Sequence, residues 1–151
     1  MKAKRIVMLG GVAGASFAVF VAPSATRAED MPDALSVEWQ GKRPCDKLFE
    51  DTQVRVLRCT FPPGTVHLCH SHPAYLNYVL SGGQAQVQDE KGTRKIDPVA
   101  GSVADIPPIP WHEFANIGET TLQFLIIEKK YQAPPALTQA VCPQGTWPRT
   151  K

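Results

Sequence analysis

Between Gln53 and Lys130 the chain shows little helical periodicity. Short β-rich segments, several of them alternating apolar and polar positions, are separated by turn signals. Val54-Arg-Val-Leu-Arg-Cys-Thr-Phe61 stops at Pro62-Pro63-Gly64-Thr65, and Val66–His72 follows. Tyr75–Leu80 ends at Ser81-Gly82-Gly83, and Gln84–Gln88 alternates around Ala85 and Val87. Asp89-Glu-Lys-Gly92 reads as a hairpin turn, because glycine supplies the positive φ such loops need. Further strands are predicted at Thr93–Ile96, Ser102–Ile106, Trp111–Asn116 and Thr121–Glu128. Short strands at this spacing imply an all-β sandwich or small barrel. The flanks, Asp30–Arg43 and Gln132–Lys151, are proline-rich and are expected to be irregular wraps.

The first thirty residues change the outline. A basic head (MKAKR) precedes an apolar run rich in Gly and Ala, Ile6–Ala22, and Thr26 and Ala28 stand at −3 and −1 of a cleavage site. That is the layout of a secretory signal peptide, and the run is short for a membrane anchor. The expected division is a signal peptide at 1–28, an N-terminal arm at 29–52, a β-barrel at 53–130 and a C-terminal tail at 131–151. Cleavage after Ala28 makes the protein periplasmic or secreted, with no stable membrane anchor. The leader holds four of the 16 basic residues (Lys2, Lys4, Arg5, Arg27) and none of the 14 acids, so its loss turns the formal charge from +2 to −2. The basic character belongs to the leader, no basic stripe survives, and nucleic acid is not an expected partner.

Four cysteines (Cys45, Cys59, Cys69, Cys142) lie beyond the leader, in a disulfide-tolerant compartment. They allow three full pairings. Cys45 and Cys142 sit in proline-containing flanks and could staple the two tails, with free thiols the other option. A Cys59–Cys69 bridge is the least favoured. If Phe61 and Val66 flank a hairpin, Cys59 lies opposite Leu68, and strand alternation puts Cys69 on the other face.

The candidate chemistry is concentrated in His67-Leu-Cys-His-Ser-His72, which holds three of the four histidines. Period-2 geometry puts His70 and His72 on one face with Leu68 and Val66, and His67, Cys69 and Ser71 on the other. Two histidines at i and i+2 form a bidentate pair, and a useful metal site needs a third ligand. The remaining histidine is His112.

Two spacings now become specific. Gly64, five residues, then His70-Ser71-His72 is one. Gly101, five residues, Pro107-Pro108-Ile109, two residues, His112, three residues, Asn116 is the other. In this the chain resembles a small single-domain cupin. The second motif departs from the family only at Ile109, where the family has glycine. The resemblance implies a cupin-type jelly-roll β-barrel with irregular N- and C-terminal tails. It also implies that His70, His72 and His112 converge on a divalent transition metal. The family's glutamate ligand is missing: its place falls at Tyr75, Leu76 or Asn77, and no Asp or Glu occurs between Pro73 and Gln88.

Three neutral nitrogens suit Fe, Zn, Ni, Cu or Co and are poor for hard cations. A bound ion would keep its full charge and attract a small anionic or chelating molecule, with Tyr75 and Asn77 available to bind such a substrate. Some cupin dioxygenases use a three-histidine iron site, so the resemblance opens two readings. One is a metal-dependent, dioxygenase-like oxidoreductase. The other is a non-catalytic cupin that holds a metal or small ligand in the periplasm. No catalytic residue is assigned, because no acid can be placed on the pocket face. Small cupins are often dimers, so a homodimer is compatible with the resemblance. His67 is expected at the surface or supporting the site, Glu113 as a rim charge, and Asn116 as the residue that ends its strand. Tyr75, Tyr78 and Trp111 read as core aromatics in the competing view, with Trp111 the best candidate for a pocket wall.

Overall fold

Alternation along Leu122-Gln-Phe-Leu-Ile-Ile-Glu-Lys129 buries every second residue, Leu122, Phe124, Ile126 and Glu128. The same rule buries Leu57, Cys59 and Phe61, and Ala85 and Val87, in the computed structural model, which describes residues 31–135. Its nine strands are β1 (Cys45–Glu50), β2 (Val54–Phe61), β3 (Val66–His72), β4 (Tyr75–Ser81), β5 (Ala85–Asp89), β6 (Gly92–Ile96), β7 (Val103–Ile106), β8 (Ile109–Asn116) and β9 (Leu122–Lys129). They form two sheets, β1-β2-β9-β4-β7 and β3-β8-β5-β6. All named strand pairs are antiparallel. The stretch expected to be a signal peptide and Cys142 lie outside the described residues.

The inner faces meet in one apolar cluster that includes Leu57, Phe61, Val79, Val87, Phe114, Leu122 and Phe124. Phe61 packs against Phe114 and Phe124 at centroid distances of 4.8 and 6.0 Å. Burying side chains of this size contributes roughly 1.5–3 kcal/mol each. The two motif-leading glycines, Gly64 and Gly101, hold φ of 76° and 83°, a left-handed conformation that side chains with a Cβ adopt at a cost. Buried Asn116 ends β8. Its Nδ2 donates to the carbonyls of Phe61 and Thr120, both at 2.7 Å, and its Oδ1 accepts from Gly118 N.

Three expectations change. Cys45 pairs with Cys59, its register partner across β1 and β2, and not with Cys142. That bridge anchors β1, a strand inside 29–52, the stretch expected to be an N-terminal arm ahead of the barrel. β2 and β3 are not a hairpin: β2 lies between β1 and β9, while β3 pairs with β8 in the other sheet. Cys69 is also disulfide-bonded.

The arm preceding β1 is an active part of the barrel. Asp33 bridges to Ser71 alongside β3, and Ala34 is buried in the core cluster.

Candidate metal centre

The β3–β8 ladder carries the site, and two irregularities set its geometry. Pairing runs Val66↔Ala115, His67↔Phe114, His70↔His112 and His72↔Ile109, with register shifts on each side of His70. Three residues of β3 thus span two of β8 before His70, and the reverse holds after it. One extra residue exchanges the faces of a strand. Val66 and Leu68 therefore pack outward with Trp39 and Ala115, while His67, His70 and His72 all line the cavity. The plain alternation, which put His67 opposite His70, is corrected by this bulge.

His70, His72 and His112 bring one nitrogen each within 4.8 Å of one another, all three side chains buried. His70 Nε2 lies 2.9 Å from both His72 Nε2 and His112 Nε2. Nitrogens at that separation can both reach a shared centre at the roughly 2.0–2.1 Å typical of zinc–imidazole bonds. The other ring nitrogens fix the tautomers. His70 Nδ1 donates to the Leu68 carbonyl at 2.6 Å, and His72 Nδ1 donates to Glu128 Oε1 at 2.6 Å. In the neutral rings, then, both Nε2 atoms present lone pairs, and these face each other at 2.9 Å. A neutral hydrogen bond cannot form there, and a cation resolves the conflict. Burial, reinforced by the neighbouring histidines, pushes His70 and His112 well below the usual imidazole range, which disfavours a proton on either of those two rings. The donor set fits a metal ion.

His67 is not one of the three. Its Nε2 donates to the Ala34 carbonyl at 2.8 Å and its ring stacks 3.8 Å from that of His70. Burial lowers its pKa from 6.5 to about 4. Between these values the unfolded chain binds a proton that the folded protein refuses, so stability falls as pH drops through this window. The loss at its acid end is on the order of 3 kcal/mol for His67. Urea unfolding of the metal-free protein should show a midpoint that declines from pH 6.5 towards 4; a flat midpoint contradicts this.

Two acids lie at the site, which corrects the sequence expectation: Asp89 lines the cavity, and Glu128 stands behind His72. Glu128, fully buried on β9, accepts from His72 Nδ1 through Oε1 and from Arg55 Nε through Oε2. Arg55 Nη2 continues to Asp33 Oδ2 at 2.6 Å. Burial opposes the guanidinium charge, but the hydrogen bonds it donates to Glu128 and Asp33, with their negative charges, outweigh it and raise its pKa. Carboxylates that hold the distal nitrogen of a ligating histidine fix its tautomer and increase its basicity. Glu128 is positioned for that supporting task, and it does not fill the family glutamate's place.

Around the histidines lies a cavity of about 170 Å³, walled by residues such as Phe61, Ile109, Phe114 and Phe124. Tyr75 and Asn77 both line it. Tyr75 sits 4.9 Å from the His72 ring, and burial, with Glu128 nearby, raises its hydroxyl pKa. Asn77 Oδ1 is buried and without a hydrogen-bond partner. Asp89 and Arg94 also reach the lining. Trp111 and Glu113 are buried but do not line the cavity, so Trp111 is no wall of it and Glu113 is no rim charge. Tyr78 is 38% exposed and lies outside the core.

No protein-family model and no curated protein matches the chain. Among solved structures it is similar to a cupin domain from Bordetella pertussis Tohama I, with TM-score 0.54 and 23% identity over 57% of this chain and 91% of that one. It is also similar to an uncharacterized protein with a double-stranded β-helix domain from Klebsiella pneumoniae, with TM-score 0.50 and 22% identity over 68% and 90% of the two chains. The described residues have the fold of these cupin and double-stranded β-helix domains, an all-β jelly-roll barrel. Inside it, three buried histidines could hold a metal ion.

Proposed function

We propose that this protein is an exported cupin that holds a divalent transition metal (Fe, Zn, Ni, Cu or Co) through His70, His72 and His112. The barrel cavity offers the metal's open positions to a small anionic or chelating molecule, with Tyr75 and Asn77 beside it. The carrying observation is the pair of Nε2 lone pairs 2.9 Å apart on two histidines whose other nitrogens already donate. Export is supported by the leader pattern and by the Cys45–Cys59 disulfide, a bond typical of oxidising compartments.

A metal bound there supplies Lewis acidity and, as iron, one-electron chemistry towards dioxygen. The chain's own groups offer little acid–base chemistry. Both oxygens of Glu128 are engaged, Asp89 is paired with Arg94, and the Tyr75 hydroxyl holds its proton. That arrangement favours redox chemistry on a small substrate, as in a dioxygenase-like oxidoreductase. It equally suits a non-catalytic cupin that holds a metal or ligand.

Metal content decides between them. The mature protein, purified from a periplasmic fraction without chelating resin, should carry near-stoichiometric transition metal and begin after Ala28. Iron, with oxygen uptake in the presence of small carboxylic acids or chelating diols, places the protein among the oxidoreductases. Zinc without oxygen uptake supports the holding role, and a metal-free protein that takes up none of these ions on incubation overturns the proposal.

A further inference from the structure

Among the described residues that line the cavity, Asp89 and Arg94 are the two that ordinarily carry charge. They flank the β5–β6 turn. Asp89 pairs in register with both Gly92 and His112, and Arg94 with Val87, whose side chain is in the core. Arg94 Nη1 donates to Asp89 Oδ2 at 2.8 Å, and the Arg94 side chain is 47% exposed. Arg94 therefore stands where the cavity meets solvent, with one of its five N–H donors used in this pair.

The charge balance chooses the ligand. Three neutral histidines leave a bound divalent ion its full charge, and Glu128 is already matched by Arg55. With such an ion bound the interior is positive, because Asp89 is already matched by Arg94, so an ammonium group is repelled and an anion is drawn in. The unpartnered Asn77 Oδ1 asks in addition for a hydrogen-bond donor.

We propose that Arg94 is the specificity-determining residue of the cavity, anchoring the carboxylate of a small organic acid at its mouth, while Asp89 holds the guanidinium in place and competes with that carboxylate. The inference rests on the reading of the cavity as a small-anion site, and names the anchor and the ligand class. It gives the two partners opposite signs. Losing Arg94 removes charge-assisted hydrogen bonds, and losing Asp89 removes a competitor.

Trifluoroacetate and its neutral isostere trifluoroacetamide, followed by fluorine NMR on zinc-loaded and metal-free protein, test this directly. Arg94→Gln should weaken trifluoroacetate binding by about tenfold or more. Asp89→Asn should tighten it, and neither change should move the amide or the zinc content. Equal trifluoroacetate affinity in wild type and Arg94→Gln overturns the inference, as does parallel weakening in both variants, the mark of a purely structural ion pair. Failure of the wild type to take up zinc strikes the metal reading instead. In that case Arg94-dependent binding of trifluoroacetate to the metal-free protein still upholds the anchor, and its absence sinks it.

Discussion

His70→Ala is expected to abolish stoichiometric metal binding while the barrel stays folded. His70 is the hub of the cluster, because its Nε2 is the atom that approaches both other ligands at 2.9 Å. Removing a supporting contact from a metal ligand costs roughly 10–100-fold in affinity, and removing the central ligand of three should cost well beyond that. The variant also lifts the lone-pair conflict with His72, which offsets part of the cost of the space it opens. Its metal-free stability should therefore sit closer to wild type than a core truncation usually allows, such truncations costing about 2–5 kcal/mol. Thermal melts with and without added zinc give the readout. Wild type should gain stability as metal binds the folded state alone, and the variant should gain none. Equimolar metal retained by His70→Ala after dialysis would remove these histidines as the metal site.

β2, β5 and β9 were legible because alternate residues along them are buried, and burial imposes the period of two on the residue types; the other strands from Val54 onward were marked by β-rich composition between turn signals. β1 was not, because it lies at the end of its sheet: of Cys45-Asp-Lys-Leu-Phe-Glu50 only the cysteine is buried, so no apolar alternation marks it. Spacing alone paired His70 with His72, and the cupin resemblance of the two motifs added His112. The face of His67 did not follow from spacing, since a bulge is one extra residue in a ladder whose partner strand lies more than forty positions away. Glu128 left a readable trace. It occupies the same parity as Leu122, Phe124 and Ile126, and an acid on a core parity marks a buried polar partner. Its pairing with His72, 56 positions distant, and with Arg55, 73 positions distant, depends on strand order that spacing does not encode. Asp89 and Arg94 carried only a turn signal, because the turn chemistry between them is indifferent to where their side chains point.

The charge chain behind His72 separates stability from metal affinity, and Arg55→Met should show it. The substitution keeps an unbranched apolar stem and leaves Glu128, fully buried, with His72 as its sole remaining donor. Breaking a buried ion pair from one side costs about 3–5 kcal/mol, because an uncompensated charge stays in the interior. Asp33, half exposed, is a lesser loss. Glu128→Gln added to Arg55→Met should recover much of that stability, since the charge and its partner are then both gone, and the two effects should be strongly non-additive. Metal affinity should not recover with it. With a neutral amide in place of the carboxylate, His72 loses the charged acceptor that fixes its tautomer, and zinc affinity should remain down by roughly 10–100-fold. Urea midpoints and zinc competition titrations on wild type, both single variants and the double variant measure the two quantities independently. An Arg55→Met protein within about 1 kcal/mol of wild type would show that the pair is not the buried unit described here. A double variant with restored zinc affinity would instead detach Glu128 from the metal centre and leave it a purely structural acid.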